Sequence, residues 1–439
     1  MVVKMENNNI EQRKRRPLGR GVRKLGINIV DSPMGFGKTS WAINKINSDK
    51  KQNFIYITPF LSEIDRVKNG CKDRKFTEPK VGKARNKLES LKQLVLKDKN
   101  IASTHALFTM CDQELIILLK SHNYTLILDE VMEVVKPADN IRKDDIVVLF
   151  DQKLIKISDT EYNKVEWIGS KDYNGRYNDI KLLCEAGTLY YVDNTLMVWA
   201  MPISSFQAFD EVYVLTYQFH CQIQRYYYDY FGLEYKYFHI ENKEGKYLLK
   251  ETKDEEMNTY DIEFRRKAKE LINIVDNEKL NTVGDKNYSM SMKWFSKSEN
   301  ELKVKQLKKN IYNFFRNISK TPSNKNMWTC YKKYQSKVKG SGYSKGFVSC
   351  NSRATNEFSD KEALAYCINR YMNPFYKKFF SSRGIHVNEN KYALSELLQW
   401  IWRSQIRNGQ PIDLYIPSKR MRTLLTKFLN NDNDFSRIE

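Results

Sequence analysis

The sequence has no run of about 18 apolar residues, the length that a helix needs to cross a bilayer. Its first residues are polar and basic, without the apolar core of a signal peptide. None of the seven cysteines forms a Cys-x-x-Cys pair and their number is odd, so we expect reduced, buried thiols and no zinc site. Together these absences predict a cytoplasmic protein without a membrane partner.

What the sequence has in excess is positive charge and aromatic residues. A formal net charge of +21, with 27 tyrosines and 22 phenylalanines, suits a polyanionic partner, because basic groups neutralise phosphates and aromatic rings stack on bases. A lysine-rich solvated surface explains the charge equally well, so composition alone leaves nucleic acid open as a partner. The length of 439 residues, 41% of them hydrophobic, predicts two or three domains.

Residues 1–25 are predicted to form a basic flexible arm, because they are polar and contain a cluster of charged side chains. The cluster consists of Arg13, Lys14, Arg15, Arg16, Arg20, Arg23 and Lys24. Such an arm could lie along nucleic acid or simply increase solubility.

A glycine loop stands between an apolar strand and a helix at residues 27–41, INIVDSPMGFGKTSW. Glycines at positions 35 and 37 would let backbone N–H groups turn towards a polyphosphate, and the helix that follows would direct its positive dipole end to the same anion. Lys38 would reach the β- and γ-phosphates, and Thr39 would bind Mg²⁺. A tight turn is the alternative, because Ser32 replaces the first glycine of the strict pattern. The predicted phosphate-binding residues are Ser32, Pro33, Met34, Gly35, Phe36, Gly37, Lys38 and Thr39.

Further strand-and-helix units follow at residues 53–60, 101–108 and 124–133. Strands that alternate with helices predict a parallel sheet covered by helices on both faces. The last unit ends an apolar strand with Asp129 and Glu130, at the sheet edge where such folds bind ligands. Asp129 would hold Mg²⁺ and Glu130 would orient and deprotonate an attacking water, although an acidic pair also suits a plain helix N-terminus.

The second half of the chain begins, by its change of composition, near residue 225. Its residues 290–345 are dense in lysine and arginine, typical of a solvated helix face as often as of a nucleic-acid contact. Residues 394–409 have helical periodicity, which places Gln399, Arg403 and Arg407 on one polar ridge. Such a ridge is either solvated or available to a phosphate.

The segments SPMGFGKT, TPF, STHALF and LDEVM, in this order, resemble motifs I, Ia, Ib and II of superfamily 2 helicases, in the variant carried by bacteriophages. That family has serine or alanine at the place of Ser32, and DEVM departs from the strict DEAD and DEAH forms. The resemblance implies a RecA-like domain that binds ATP. It also implies that a nucleic-acid backbone contacts Thr58, Pro59, Ser103, Thr104 and His105.

The same resemblance extends to the second half of the chain. Gln399, Arg403 and Arg407 resemble motif VI, whose glutamine and arginines reach the ATP bound by the first domain, although the two arginines are usually three residues apart and here are four. We favour Arg407 as the residue that contacts the transferred phosphoryl group. Motif V is placed after a strand, with three candidate phosphate or interdomain contacts, Ser352, Arg353 and Thr355.

The sequence therefore predicts an α/β protein of two tandem RecA-like domains, residues 26–225 and 226–439, with ATP and Mg²⁺ in the cleft between them. The predicted function is that of an ATP-dependent helicase or translocase in phage replication or recombination. Single-stranded or forked DNA is the favoured partner, with other replication proteins as further partners, in the cytoplasm of the bacterial host. The alternatives are a phage DNA-packaging ATPase and a non-motor ATP-dependent module that binds replication origins.

Overall fold

The computed structural model describes residues 26–82, 84–138, 141–253, 261–350 and 356–435. The predicted basic arm, residues 1–25, lies outside the described residues, and so do Ser352, Arg353 and Thr355. None of the helices in these described ranges is long and apolar enough to cross a membrane.

The described ranges contain seventeen strands and seventeen α-helices. The strands, in chain order, are β1 (Gly26–Asp31), β2 (Asn53–Thr58), β3 (Phe76–Thr77), β4 (Asn100–Thr104), β5 (Tyr124–Asp129), β6 (Val135–Pro137), β7 (Ile155–Ile157), β8 (Val165–Trp167), β9 (Leu189–Val192), β10 (Leu196–Ala200), β11 (Glu211–Thr216), β12 (Tyr235–Lys243), β13 (Lys246–Thr252), β14 (Ile272–Ile274), β15 (Asn326–Thr329), β16 (Ala363–Tyr366) and β17 (Ile412–Tyr415). The helices are α1 (Lys38–Ser48), α2 (Leu61–Gly70), α3 (Lys87–Leu96), α4 (His105–Phe108), α5 (Gln113–Ser121), α6 (Lys143–Asp151), α7 (Asn178–Glu185), α8 (Ser204–Gln207), α9 (Ile223–Phe231), α10 (Ile262–Leu271), α11 (Glu278–Asn281), α12 (Met292–Ser296), α13 (Glu301–Asn313), α14 (Gln335–Val338), α15 (Pro374–Ser381), α16 (Glu389–Ile401) and α17 (Lys419–Leu429).

The first unit is built on an eight-stranded sheet in the order β13-β12-β1-β11-β5-β2-β4-β3. All neighbours are parallel except β13, which is antiparallel to β12. Parallel strands are covered on both faces, which explains their continuous apolar sequences: Ile29 and Val30, adjacent on β1, belong to hydrophobic clusters on opposite sides of the sheet. The register places Asp31, Asp129 and Thr216 together at the carboxyl edge.

The first unit continues to Thr252, so the domain boundary predicted near residue 225 is wrong. Strand β12 pairs with β1 and β13 pairs with β12, which returns residues 235–252 to the edge of the first sheet. Helix α9 buries its tyrosines in the same unit, and Tyr227 and Tyr228 are fully inaccessible to solvent. These rings pack a core rather than form a surface on which bases could stack.

Residues 135–200 form a smaller middle unit between β5 and β11. It contains the antiparallel sheet β6-β10-β9 and the pair β7-β8. Its own hydrophobic cluster includes Ile146 and Leu149 from α6 and Val165 from β8. This part of the chain is therefore a small packed unit.

The second unit is built on the parallel sheet β14-β17-β16-β15, which confirms the predicted α/β fold with two largely parallel sheets. The register of the strands in this sheet shows which helix covers each of its two faces. Trp328 and Tyr415 both pair with the same residue of β16 and so point to one face, where Tyr415 lies 5.5 Å from Phe314 at the end of α13. The next residue of β16, Tyr366, points to the opposite face and packs 5.3 Å from Trp400 of α16.

The helix predicted over residues 394–409 ends early, at Ile401. The Ser404 hydroxyl donates to the Ile401 carbonyl at 2.7 Å, and the Gln405 N–H turns away to the Lys361 carbonyl at 3.1 Å. A longer helix would need the Ile401 carbonyl as an acceptor and the Gln405 N–H as a donor for its own backbone hydrogen bonds. Both groups are bonded elsewhere, so the helix ends. The predicted ridge is therefore wrong: the glutamine lies on α16, whereas the two arginines lie on the turns that follow.

Helix α15 joins the two units, because it follows β16 in sequence but packs against α9 of the first unit. Phe379 stacks on Tyr230 with 4.3 Å between ring centroids, and Phe380 lies 5.6 Å from Tyr226. The two units are consequently in apolar contact where α15 packs against α9.

Candidate functional site

The glycine loop has the shape predicted for it, running from β1 into α1. Gly35 and Gly37 have φ angles of +86° and +83°, in the left-handed region that glycine adopts without strain. A Cβ atom at position 37 would lie 2.1 Å from Cε1 of Tyr247, so a larger residue here would strain the backbone and also require the Tyr247 ring to move.

Lys38 folds back over this loop. Its Nζ donates to the Ser32 carbonyl at 2.6 Å and to the Pro33 carbonyl at 3.0 Å. Burial lowers the pKa of Lys38, and the charges of Glu130, Asp31 and Asp129 oppose that change. The ammonium group therefore lies between the loop and the acids at the sheet edge.

Two polar side chains at the end of β1 support the loop from the sheet. The Ser32 hydroxyl accepts from the Ile240 N–H at 2.7 Å, which fastens β12 to the end of β1. The Asp31 carboxylate accepts from the N–H groups of Gln218 and Phe219 at 2.8 and 2.9 Å. Asp31 was not predicted as a site residue.

The acid pair lies at the end of β5, the strand that pairs with β11. Glu130 has a φ of +66°, a backbone conformation that is uncommon for residues other than glycine and often marks functional sites, and its N–H donates to the Leu215 carbonyl at 2.9 Å. Burial, then the neighbouring charge of Glu130, raises the pKa of Asp129 to about 7. A buried carboxylate whose pKa is raised in this way is a suitable oxygen donor for Mg²⁺, whose charge would favour the ionised form of Asp129.

Side chains from distant parts of the sequence orient the second acid. The Thr216 hydroxyl donates to Oε2 of Glu130 at 3.4 Å, and Nε2 of Gln222 donates to that hydroxyl at 3.1 Å. His105, predicted to contact nucleic acid, instead lies 3.0 Å from the Asp129 carbonyl through Nε2, which must be the donor. Sequence analysis missed Gln222, because no local pattern marks it.

The other predicted nucleic-acid contacts at this edge differ in accessibility. The side chains of Thr58 and Ser103 are 0% and 2% exposed at the ends of β2 and β4, so neither is a surface contact in this conformation. Pro59 and Thr104 are partly exposed and stay as predictions.

The second unit contains a buried arginine, Arg403, which was predicted as a site residue. Arg403 is 3% exposed, and its NH1 donates to the Ser349 carbonyl at 3.1 Å. Its Nε has no hydrogen-bond partner among the described residues. Burial lowers the pKa of Arg403 to about 10, opposed by the charges of Glu396 and, from the first unit, Glu130. Of the acid pair, Glu130 is thus the residue whose charge acts on the guanidinium.

The other motif VI candidates lie elsewhere. Burial lowers the pKa of Arg407, and the opposing charge is that of Glu63 on α2 of the first unit. Gln399 is partly exposed on α16. Of the two arginines, Arg403 is the one for which the charge of Glu130, the predicted catalytic acid, is among the causes of the pKa change. The preference for Arg407 stays a prediction.

Aromatic contacts connect the glycine loop to the segment that carries this arginine. Phe36, at the loop tip, lies 5.8 Å from Phe264 of α10, which lies 4.8 Å from Trp402. Met34 packs against the core of the second unit. The tip of the glycine loop is therefore in contact with the second unit.

Replacing Asp129 by asparagine is expected to stabilise the metal-free protein more at high pH than at low pH. The folded-state pKa of about 7 exceeds the usual 3.8. Between about pH 4 and 7 the folded state keeps a proton that the unfolded state releases, so the free energy of unfolding falls as the pH rises. The asparagine variant avoids this loss, and its advantage should reach roughly 2 to 4 kcal/mol at pH 8, at about 1.4 kcal/mol per pKa unit.

Urea unfolding in EDTA at pH 5 and pH 8 measures this difference. Asp151→Asn, which changes an exposed carboxylate at the end of α6, is the matched control and should behave alike at both pH values. An Asp129→Asn effect that is independent of pH would contradict the raised pKa.

Two family models and one curated relative match this chain. Residues 266–429 match the YonV C-terminal Rossmann-like domain, and residues 135–199 match the YonV middle domain. The chain is 41% identical over 413 residues to the SPbeta prophage-derived protein YonV of Bacillus subtilis (strain 168), covering 92% of this chain and 99% of that one.

Similarity to solved structures is more distant. A structure of S. tokodaii Xpd4 is 10% identical with a TM-score of 0.41, covering 91% of this chain and 93% of that chain. The DUF1998 helicase MrfA bound to DNA is 11% identical with a TM-score of 0.31, covering 92% of this chain and 46% of that chain. Likeness at this level transfers no function. By its similarity along nearly the whole length of the prophage protein, the chain belongs to the YonV family.

Proposed function

We propose that this protein is a nucleic-acid-dependent ATPase of the helicase or translocase type, with ATP bound between its two α/β units. The observation that carries the proposal is the convergence of three groups on one cleft. Lys38 comes from the glycine loop, Asp129 and Glu130 come from the neighbouring sheet edge, and Arg403 comes from the second unit.

The residues present fit a nucleotide triphosphate. Backbone N–H groups of the glycine loop and the N-terminus of α1 would bind the phosphates. Lys38 would exchange its two carbonyl partners for phosphate oxygens, which is favourable because the carbonyls carry only partial charge. Thr39 and Asp129 would hold Mg²⁺, which supplies charge neutralisation on the phosphates.

Glu130 would act as the general base. Its carboxylate would orient a water and accept its proton while the water oxygen attacks the γ-phosphorus and ADP leaves. The hydrogen bond from Thr216 would hold the carboxylate in place, and Gln222 would hold the threonine. In this series of hydrogen bonds Gln222 positions Thr216 and Thr216 positions Glu130, which keeps the general base in place.

Arg403 would neutralise the charge that develops on the transferred phosphoryl group. A planar guanidinium suits this role, and its Nε lies buried without a partner among the described residues, so it is available to a new acceptor. Arg407, on which the charge of Glu63 of α2 acts, would instead stabilise the contact between the two units. Gln399 is proposed as a further contact to the nucleotide.

The nucleic-acid part of the proposal is supported by the net charge of +21. The prophage origin of YonV supports a phage protein, for which we propose a role in DNA replication or recombination. Single-stranded or forked DNA is the proposed partner.

ATP turnover measured without nucleic acid, and then with single-stranded DNA, duplex DNA and RNA, tests this function. We expect at least one nucleic acid to raise turnover by about tenfold or more, with single-stranded DNA the best. Glu130→Gln serves as the blank for contaminating ATPases. Turnover that no nucleic acid changes would contradict the proposal, since a motor couples the two.

A further inference from the structure

The positive charge of the chain is concentrated in one segment of the second unit. Residues 286–345 contain fifteen basic and two acidic residues, a net charge of +13 out of +21 for the whole chain. Several lysines outside this segment are instead paired with carboxylates. Lys156 lies 2.8 Å from Asp159, and Lys250 lies 3.2 Å from Glu241.

Helix α13 presents part of this charge as a regular stripe. Its inner side buries Val304, Leu307 and Ile311. Its outer side exposes four residues at helical spacing, which continue into the π-helical turn Phe314–Ile318. These four are Lys305, Lys309, Tyr312 and Arg316. The tyrosine ring, 45% exposed, thus lies between basic groups on both sides.

A second basic segment lies beside this stripe. The Tyr343 hydroxyl is 2.7 Å from the Val338 carbonyl and 3.4 Å from the Lys308 carbonyl, which holds residues 332–339 next to α13. Four lysines of that segment are exposed: Lys332, Lys333, Lys337 and Lys339. Within the part of the chain that the structure describes, no carboxylate lies within ion-pair distance of them or of Lys305 and Lys309.

This surface, which we call the outer basic face (residues 303–316 and 332–339), lies away from the ATP cleft. Helix α13 packs on the face of the second sheet that Tyr415 occupies, whereas α16, which leads to Arg403, packs on the opposite face beside Tyr366. Contacts made on the outer basic face are consequently separate from those at the carboxyl edge of the first sheet.

We propose that the outer basic face is a second binding surface for single-stranded nucleic acid. Lysines would bind successive phosphates along α13, which is about 20 Å long at about 1.5 Å per residue, and a base would stack on Tyr312. An exposed ring between cations favours a single strand, because the bases of a duplex are already stacked on each other. The inference rests on the proposed function only for the identity of the polyanion.

The experiment uses the full chain and labelled oligonucleotides, with binding measured by anisotropy between 50 and 300 mM salt. The test variant is Lys305→Ala/Lys309→Ala/Lys333→Ala/Lys337→Ala. The control removes four other exposed lysines from the first unit, through Lys51→Ala/Lys72→Ala/Lys75→Ala/Lys80→Ala. Both variants have the same net charge, so only the position of the charge differs.

For four phosphate contacts we expect the test variant to bind single-stranded DNA about 100-fold more weakly at 150 mM salt, with a salt slope smaller by about 3. The control should change by less than about threefold. Tyr312→Ala should weaken single-strand binding by about tenfold and leave duplex binding unchanged. Equal losses in test and control, a parent protein that does not bind DNA, or a neutral Tyr312→Ala would each overturn the inference.

These outcomes are separable from failure of the proposed function. Turnover of ATP without nucleic acid should be the same in the parent and in the test variant, because none of the four lysines lies at the cleft. If ATP were not hydrolysed but the binding results appeared as expected, the proposal for the outer basic face would be supported and the proposed ATPase function would be contradicted.

Discussion

Glu130→Gln is expected to lower ATP turnover by about 10³-fold while it leaves ATP bound as tightly as in the parent protein, or more tightly. Glutamine keeps the shape of the side chain and can still accept from the Thr216 hydroxyl, so the site should stay assembled. It cannot take a proton from water, and general bases contribute roughly 10²- to 10⁴-fold to rate. Steady-state turnover and equilibrium binding of a fluorescent ATP analogue measure the two effects.

Lys38→Ala should also abolish ATP turnover, but by weakening the binding of ATP, because the ammonium group is lost from the glycine loop. Glu133→Gln and Lys51→Ala are matched controls, each changing an exposed side chain of the same type in the first unit. Both controls should retain parental turnover. Hydrolysis at the parental rate by Glu130→Gln would eliminate the catalytic-base assignment.

The second large effect is expected from Arg403→Ala, which should lower turnover by about 10³-fold or more with little change in ATP affinity. The reason is that Arg403 belongs to the second unit and would contact the phosphoryl group chiefly when charge develops on it. Arg407→Ala should cost less than about tenfold, since its opposing charge is Glu63 and not the acid pair. Single-turnover rates and nucleotide binding distinguish the two variants.

Because Arg403 is buried, its alanine variant requires a check on folding. Arg403→Lys keeps a positive charge but loses the planar donor geometry, and we expect it to fold with parental stability and to recover less than about a tenth of the rate. Full recovery by lysine would show that charge alone suffices. A larger loss in Arg407→Ala than in Arg403→Ala would restore the assignment made from the sequence.

The parts of the structure that sequence analysis predicted correctly are local. The strand, glycine loop and helix around Lys38 follow from an apolar run, two glycines and a helix start within fifteen residues. The acid pair follows from one buried strand, β5. In each case the residues that define the feature are neighbours in the chain, so the pattern is visible in the sequence.

The parts that were missed depend on contacts between distant residues. The return of β12 to the first sheet is fastened by a hydrogen bond between residues 208 positions apart, Ile240 and Ser32. The end of α16 depends on where the Gln405 N–H finds its acceptor, on Lys361. The choice between Arg403 and Arg407 depends on how the two units face each other, which helical periodicity cannot reveal.

The central claim is that the γ-phosphate of ATP lies between the first unit and Arg403, and binding of a transition-state analogue tests it most directly. The measurement compares the affinities of ADP and of ADP with aluminium fluoride and Mg²⁺, for the parent protein and for Arg403→Ala. The account predicts that the parent binds the analogue at least about 100-fold more tightly than ADP, as transition-state analogues do, and that the variant loses most of this difference while its ADP affinity is unchanged. An equal preference for the analogue in both proteins would contradict the shared cleft.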